Sequence, residues 1–182
     1  TDAQMGKLSI EQLRAIPKVE LHCHLEGAIR FSTIKELAKL GPEVDAAATD
    51  QLIRERFCIV RPVTDLSECL SIFWRIQSLF STEQIIERVA FEVCEDAHAN
   101  GVVLLEIRYS PAYIAISHDV DHSHLTLESI HAAVCRGIDR ARTQFPRLGV
   151  VLIGIIDRLL SFAVAEDAIN FILHHKATFS AV

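Results

Sequence analysis

Short apolar runs of strand length alternate with helical stretches along this chain of 182 residues. Residues 102–108 and 150–156 are largely continuous hydrophobic runs, as in strands that are buried on both faces. Between them, residues 129–143 show the apolar spacing of an amphipathic helix. Strands that alternate with helices predict βαβ units around a parallel sheet. We therefore expect an α/β fold.

Four strands are expected in this sheet, at residues 18–22, 102–108, 150–156 and 178–182. Several helices intervene between the first strand and the second, and no helix follows the fourth strand. A parallel sheet that stops at this point predicts a single incomplete domain over residues 1–182. Helical stretches are expected at 31–40, 49–57, 65–79, 81–100, 129–143 and 162–174.

The composition excludes several classes of protein. Half of the residues are hydrophobic, which argues against a disordered chain, and the net charge is −6 without a basic stripe. Nucleic acid and anionic membrane surfaces are therefore not expected as partners. No apolar run is long enough to span a bilayer, and the N-terminus lacks the pattern of a secretory signal. The five cysteines include no CxxC pair, so we expect free thiols and a cytoplasmic protein.

His22 and His24 are the strongest candidates for metal ligands. His22 is the last residue of the first expected strand, and His24 lies in the polar segment 23–30, which is expected to be a loop. Residues i and i+2 of a strand point the same way, so both imidazoles can converge on one ion. Imidazole suits zinc, but a catalytic zinc takes about three protein ligands and a water. The pair alone leaves open both a zinc site and two histidines without metal.

The longer segment Ile16–Arg30, which contains His22, His24 and Glu26, closely resembles the first-strand motif of the adenosine deaminase family, which belongs to the metal-dependent amidohydrolases. Residues 106–111 resemble the second-strand motif of that family. Residues 153–158 look like its third strand. The three motifs keep their order across essentially the whole chain. The resemblance implies the N-terminal half of a (β/α)8 TIM barrel, with four parallel strands and a helical insertion after the first.

The same resemblance implies a chemistry and a set of site residues. His22 and His24 match the two first-strand zinc ligands of the family, and His24 would also lie against the substrate. The implied reaction is zinc-dependent hydrolytic deamination of adenosine or deoxyadenosine, which releases ammonia and serves purine salvage. Glu26 stands where the family usually has an aspartate that accepts a hydrogen bond from the ribose 5′-hydroxyl.

Glu26 departs from the usual family pattern by one methylene group. Related adenine deaminases resemble this chain in carrying glutamate at that position, but their second-strand motif differs from Arg108-Tyr109-Ser110-Pro111. A purine nucleoside is therefore the expected substrate, and adenine is the alternative.

The resemblance places the remaining site residues on later strands than this chain contains. They include further metal ligands and the glutamate that acts as acid and base. No catalytic acid or base is therefore expected among the residues up to Val182, and the 182-residue chain alone is expected to be inactive. The alternative is a non-catalytic half-barrel fragment, whose open sheet edges would favour self-association.

Other polar groups along the chain are interpreted mainly as structural. Glu106 and Arg108 interrupt the second apolar strand and are expected to pair with other charges. Asp157 and Arg158 follow the third strand, where they would form a surface ion pair or touch the rim of a pocket. A dense polar cluster is interpreted as a solvated loop rather than a metal site, and it consists of His118, Asp119, Asp121, His122 and His124.

Two further groups of side chains are candidates for site residues. His174 and His175 end a helix, where a positive charge is favourable, and they are interpreted as structural. Four aromatic residues of the helical insertion are expected to be core more often than pocket lining, namely Phe57, Phe73, Trp74 and Phe80. Cytidine-deaminase, dinucleotide, P-loop and serine-hydrolase sites have no support, because their motifs are absent.

Overall fold

The computed structural model describes residues 7–40, 44–117 and 125–182, and it confirms an α/β fold with four parallel strands. The sheet has the order β1-β2-β3-β4, so strands that follow one another in the chain are neighbours in the sheet. All three strand pairs are parallel. The strands are β1 Lys18–His24, β2 Val102–Tyr109, β3 Gly149–Gly154 and β4 Phe179–Ala181.

Helices connect the strands and cover one face of the sheet. The long connection from β1 to β2 holds the expected helical insertion, and a 3-10 helix follows β1 directly. The helices are α1 Ile10–Ala15, the 3-10 helix Glu26–Ala28, α2 Phe31–Leu40, α3 Asp50–Phe57, α4 Leu66–Gln77, α5 Glu83–Ala99, α6 Pro111–Ser117, α7 Leu127–Gln144 and α8 Phe162–His174.

The structure differs from the sequence-based expectation at two places near the carboxyl ends of strands. The first strand extends through His24, so the loop expected from residue 23 is wrong for its first two residues. Helix α6 was not expected. It has only seven residues, beginning at Pro111, and such a short helix leaves too little periodicity to be recognised.

The core lies between the sheet and the helices. On β2, Leu105, Ile107 and Tyr109 are buried and alternate with Glu106 and Arg108, which are only partly buried. This alternation shows that the two faces of the sheet have different surroundings. The helix-covered face supplies the apolar core. All five cysteines are free thiols, as expected.

Helices α5 and α7 approach each other closely at Gly137. A Cβ atom at this position would lie 2.4 Å from the carbonyl oxygen of Glu87 and 2.8 Å from the Cβ of Ala90. Real carbon atoms do not come this close, so only glycine permits the helix spacing that the structure shows.

Strand β1 forms one edge of the sheet within the described part of the chain, and it exposes apolar side chains there. Val19 is 54% exposed and Leu21 is 55% exposed. Open edges and exposed apolar residues are the features that favour association. Self-association of the half barrel stays a prediction. None of the helices in the described ranges is sufficiently long and apolar to cross a membrane.

A buried polar cluster ties α7 to the strands. His131 is 4% exposed, and its Nδ1 lies 2.7 Å from the hydroxyl oxygen of Tyr109, while its Nε2 lies 2.7 Å from the hydroxyl oxygen of Thr178. Burial, and secondarily the neighbouring His175, lowers the pKa of His131 from 6.5 to about 4. The imidazole is therefore neutral at physiological pH.

We expect His131 to make the fold sensitive to acid. Its folded-state pKa lies below its unfolded value, so the unfolded chain binds more protons between pH 6.5 and about 4. Stability contributed by the neutral imidazole is complete above pH 6.5 and is lost as the pH falls through this window. The total loss is at most about 3 kcal/mol.

Urea unfolding of wild type and of His131→Gln between pH 7.5 and 4 measures this effect. The variant has no titratable ring, so the difference in unfolding free energy between the two proteins should shrink as the pH falls. A difference that stays constant across the window would contradict a neutral, buried His131.

Candidate active site

The two histidines of the first motif meet at the carboxyl end of β1. Their Nε2 atoms are 3.3 Å apart and their ring centroids are 5.2 Å apart. His22 is exposed, while the side chain of His24 is 32% exposed and packs edge-on against Phe73. The structure therefore brings together the two side chains that the sequence singled out.

This spacing fits a shared zinc ion. Two imidazole nitrogens at the usual zinc–nitrogen distance in a tetrahedral site are separated by about 3.3 Å. The distance between the two Nε2 atoms in the structure is the same. Without metal, one ring can instead donate an N–H hydrogen bond to the other. Within the described ranges no cluster of three or more potential metal-ligating side chains is found, so the pair supplies two ligands only.

Glu26 lies in the 3-10 helix that follows β1, and it is 4% exposed. Its Oε1 lies 3.4 Å from Nδ1 of His24 and accepts a hydrogen bond from Nε2 of Gln77 at 3.2 Å. A carboxylate that accepts from Nδ1 leaves Nε2 of His24 as the nitrogen with a free lone pair. The contact with Glu26 therefore favours the tautomer of His24 in which Nε2 is free to accept.

The second carboxylate oxygen of Glu26 has no hydrogen-bond partner in the described part of the chain, although it is buried. A buried oxygen in this state normally costs free energy, so it needs an explanation. Glu26 lines a cavity of about 770 Å³. A hydroxyl or N–H group of a bound molecule in that cavity would satisfy the oxygen.

Four parts of the chain line the cavity, and the end of β1 with the 3-10 helix after it contributes His24 and Glu26. Helix α4 contributes an apolar wall, α6 contributes Tyr113, and the segment after β3 contributes a rim that includes Asp157 and Arg158. The lining residues are His24, Glu26, Leu66, Cys69, Leu70, Phe73, Trp74, Gln77, Ser110, Tyr113, Ile155, Ile156, Asp157, Arg158 and Leu159.

The four aromatic residues of the insertion divide into two groups. Phe57 and Phe80 are buried core residues, 1% and 0% exposed. Phe73 and Trp74 line the cavity, and the indole of Trp74 stacks on Tyr113 with ring centroids 6.5 Å apart. Phe57 and Phe80 therefore follow the expectation of core, and Phe73 and Trp74 follow the alternative of pocket lining.

The sequence did not identify Gln77 and Tyr113 as site residues. Gln77 is the one amide on the apolar side of α4, and it is buried. A buried amide needs a hydrogen-bond partner, so its place in the apolar pattern could have indicated a polar contact there. Tyr113 belongs to α6, the helix that periodicity did not reveal. Desolvation by burial raises the pKa of the Tyr113 hydroxyl, and the charge of Asp157 raises it further.

The remaining candidates do not join the site. His174 and His175 end α8 and are absent from the cavity lining. Arg108 donates from Nη2 to the carbonyl oxygen of Leu21, a backbone partner rather than the expected charge. The cluster that begins at His118 lies outside the described residues.

Ion pairs connect the segment after Glu26 to α5. Arg30 donates from Nε and Nη2 to the two carboxylate oxygens of Asp96, at 2.8 and 2.7 Å, and from Nη2 to Glu95 at 2.6 Å. Bidentate arginine–carboxylate pairs hold a defined geometry. This contact fixes the turn that carries Glu26.

Comparison with known proteins gives consistent matches. A sequence model described as adenosine deaminase matches residues 17–181. An adenosine deaminase from Shewanella halifaxensis is 32% identical over 90% of this chain, which covers 46% of that protein. The chain thus spans about half the length of the curated relatives it matches.

Two solved structures share the fold. An amidohydrolase from Burkholderia ambifaria, solved with bound Zn, superposes with a TM-score of 0.78 at 24% identity and covers 98% of this chain and 47% of its own. Arabidopsis ADAL, solved with GMP, gives a TM-score of 0.74 at 27% identity and covers 93% of this chain and 49% of its own.

The contact between Gln77 and Glu26 generates a prediction. Replacing Gln77 with glutamate places a second carboxylate beside a buried one, whereas Gln77→Met removes the hydrogen bond to Glu26 without adding a charge. At pH 7 both variants should lose about 1–3 kcal/mol of unfolding free energy, because the buried Oε1 of Glu26 loses one of its two partners, and Gln77→Glu should lose more through charge repulsion.

Thermal or urea unfolding at pH 7 and pH 5 tests this expectation. A shared proton relieves the repulsion, so the excess loss of Gln77→Glu over Gln77→Met should shrink at the lower pH. Equal stability of the two variants at both values would show that Gln77 and Glu26 do not make this contact.

Proposed function

Because the chain belongs to the adenosine deaminase family, we propose that the protein carrying it deaminates adenosine or deoxyadenosine hydrolytically, with a zinc ion bound by His22 and His24. The observation that carries this proposal is the 3.3 Å separation of the two Nε2 atoms beside the buried Glu26. Purine salvage in the cytoplasm is the proposed setting. Homologues named adenosine deaminase support deamination for the family.

The proposed mechanism assigns separate roles to the three side chains. When bound, zinc supplies the Lewis acidity that makes water a nucleophile near neutral pH. His22 and His24 hold the ion through their Nε2 atoms. Glu26 accepts from Nδ1 of His24, which keeps the metal-binding nitrogen unprotonated. His24 also lines the cavity, so it would contact the purine.

The charge of Glu26 favours a substrate without a phosphate. Its unpartnered oxygen can accept a hydrogen bond from a ribose 5′-hydroxyl, whereas the dianionic phosphate of a nucleotide would be repelled. Arg158 and Asp157 at the rim carry opposite charges, so Glu26 leaves the acidic and basic side chains that line the cavity with a net negative charge. A nucleoside is therefore proposed, and adenine is the second candidate, because glutamate reaches farther than aspartate.

The chain contributes only part of the proposed machinery. Two imidazoles hold zinc weakly, and the resemblance assigns the proton-transferring carboxylate to later strands. We propose that the 182-residue chain is inactive alone and that activity belongs to the whole protein. A non-catalytic half barrel is the alternative, favoured by the exposed apolar side chains of β1.

The zinc proposal predicts the effect of removing one ligand. In the whole protein, His22→Ala should lose bound zinc and reduce kcat/KM for adenosine by about 1,000-fold or more, since the metal supplies several kcal/mol of stabilisation. His174→Ala changes an exposed histidine outside the cavity and should leave both properties unchanged.

Metal content by atomic emission and ammonia release from adenosine measure these two properties. An active His22→Ala protein with full zinc content would refute the proposed metal site. A wild-type whole protein that retains no zinc and deaminates neither adenosine, deoxyadenosine nor adenine would support the non-catalytic alternative.

The ribose contact predicts a selective effect at Glu26. Glu26→Gln keeps the shape but removes the charge, and it should lower kcat/KM for adenosine relative to adenine by about tenfold or more, as expected for a hydrogen bond to a charged group. Steady-state kinetics with adenosine, adenine and AMP measure the ratio. An equal loss with adenosine and adenine would indicate that Glu26 acts only through His24.

A further inference from the structure

The first strand contains one extra residue where it carries the two histidines. In the pairing of β1 with β2, Glu20 lies opposite Leu105 and Cys23 lies opposite Ile107, so β1 uses three steps where β2 uses two. An extra residue of this kind is a β-bulge, which interrupts the ladder of backbone hydrogen bonds and turns side chains in a new direction. The bulge includes His22.

Both polar groups of the Leu21–His22 peptide bond have side-chain partners. The carbonyl oxygen of Leu21 accepts a hydrogen bond from Nη2 of Arg108 at 2.9 Å. The N–H group of His22 donates to Oε1 of Glu20 at 3.0 Å. Backbone groups released from a ladder must find partners, and here two oppositely charged side chains provide them. They fix the orientation of this peptide plane.

Arg108 makes hydrogen bonds with the backbone on both sides of the two histidines. Its guanidinium contacts the carbonyl of Leu21, and its own carbonyl oxygen accepts the N–H of Leu25 at 3.0 Å. Leu21 and Leu25 flank the segment from His22 to His24. A single residue of β2 thus holds both ends of the segment that carries the imidazoles.

The arginine is poorly explained by stability alone. Its Nε is buried without a hydrogen-bond partner in the ranges that the structure describes. An unsatisfied buried donor on a charged group costs free energy, and an apolar side chain in the same place would avoid that cost. We therefore interpret the contact as one that fixes the orientation of the Leu21–His22 peptide rather than one that stabilises the fold.

We propose that Arg108 and Glu20 are positioning residues, which set the direction of the His22 imidazole by holding the Leu21–His22 peptide in the bulge. The inference rests on the proposed function, because it concerns the histidines as zinc ligands. Neither side chain is among those that line the cavity. Their removal loosens the convergence of the two Nε2 atoms and leaves the ligands themselves in place.

Zinc affinity of the whole protein, measured by competition with a chromophoric chelator, tests the role of Arg108. Arg108→Met should weaken binding by about 10–100-fold, as loss of an outer-shell partner does. Arg108→Lys keeps a donor for the Leu21 carbonyl and should retain most of the affinity. The matched control is Arg142→Met, because Arg142 donates to the carbonyl of Val150 on β3, away from the histidines.

Glu20 supplies an independent test that does not depend on the folding of the Arg108 variant. Glu20 is exposed in this chain and accepts from the N–H of His22, so Glu20→Leu removes that acceptor. It should lower zinc affinity, while Glu20→Gln, which keeps an acceptor oxygen, should bind as wild type does. The visible spectrum of the cobalt-substituted protein should shift in Arg108→Met and Glu20→Leu, since it reports ligand geometry, and not in Arg142→Met.

The outcomes separate this inference from the proposed function. If His22→Ala binds zinc as tightly as wild type, the zinc site itself is wrong. If His22→Ala loses zinc while Arg108→Met and Glu20→Leu keep wild-type affinity and cobalt spectra, the positioning role is overturned. Equal losses in Arg108→Met, Arg108→Lys and Arg142→Met would also overturn it, because they would reflect general destabilisation.

Discussion

Parallel pairing between β1 and β2 is the constraint on which the candidate site depends. Because the strands run in the same direction, their carboxyl ends meet at one edge of the sheet, which is where active sites of α/β barrels form. His24 pairs with Arg108 in this register, and the segments that follow the two strands then line one cavity. Groups separated by more than 80 positions in the chain become neighbours through this pairing.

Burial of a carboxylate is the second element of the site. Glu26 is almost completely enclosed, and it has a histidine and an amide as partners for one oxygen only. An arrangement optimised for stability would satisfy both oxygens or use an apolar residue. Arg30, which follows this carboxylate by four residues, attaches its segment to α5 through Asp96. The unsatisfied oxygen of Glu26 thus lowers the stability of the fold at the point where a polar ligand would bind.

The sequence predicted the elements whose signals are local. Continuous apolar runs identified β2 and β3, the alternation with helices was consistent with strands at the positions of β1 and β4, and the i, i+2 spacing of His22 and His24 predicted that their imidazoles converge. The resemblance to a known family added Glu26 as a candidate substrate-binding residue. Periodicity did not reveal α6, because seven residues make only two turns, and it did not distinguish Phe73 from Phe57. Both lie on amphipathic helices, and only the packing of α4 across the end of the sheet decides which ring faces the cavity.

The sequence by itself determined the α/β class, the order of the strands along the chain and the two candidate ligands, since these follow from residue types at short separations. The tertiary structure decided that β1 continues to His24 with a bulge, that Gln77 reaches Glu26, and that Arg108 holds the carbonyl of Leu21. These contacts join residues 51 and 87 positions apart in two of the three cases. Such partners are chosen by strand register and helix packing, which short-range patterns in a sequence do not specify.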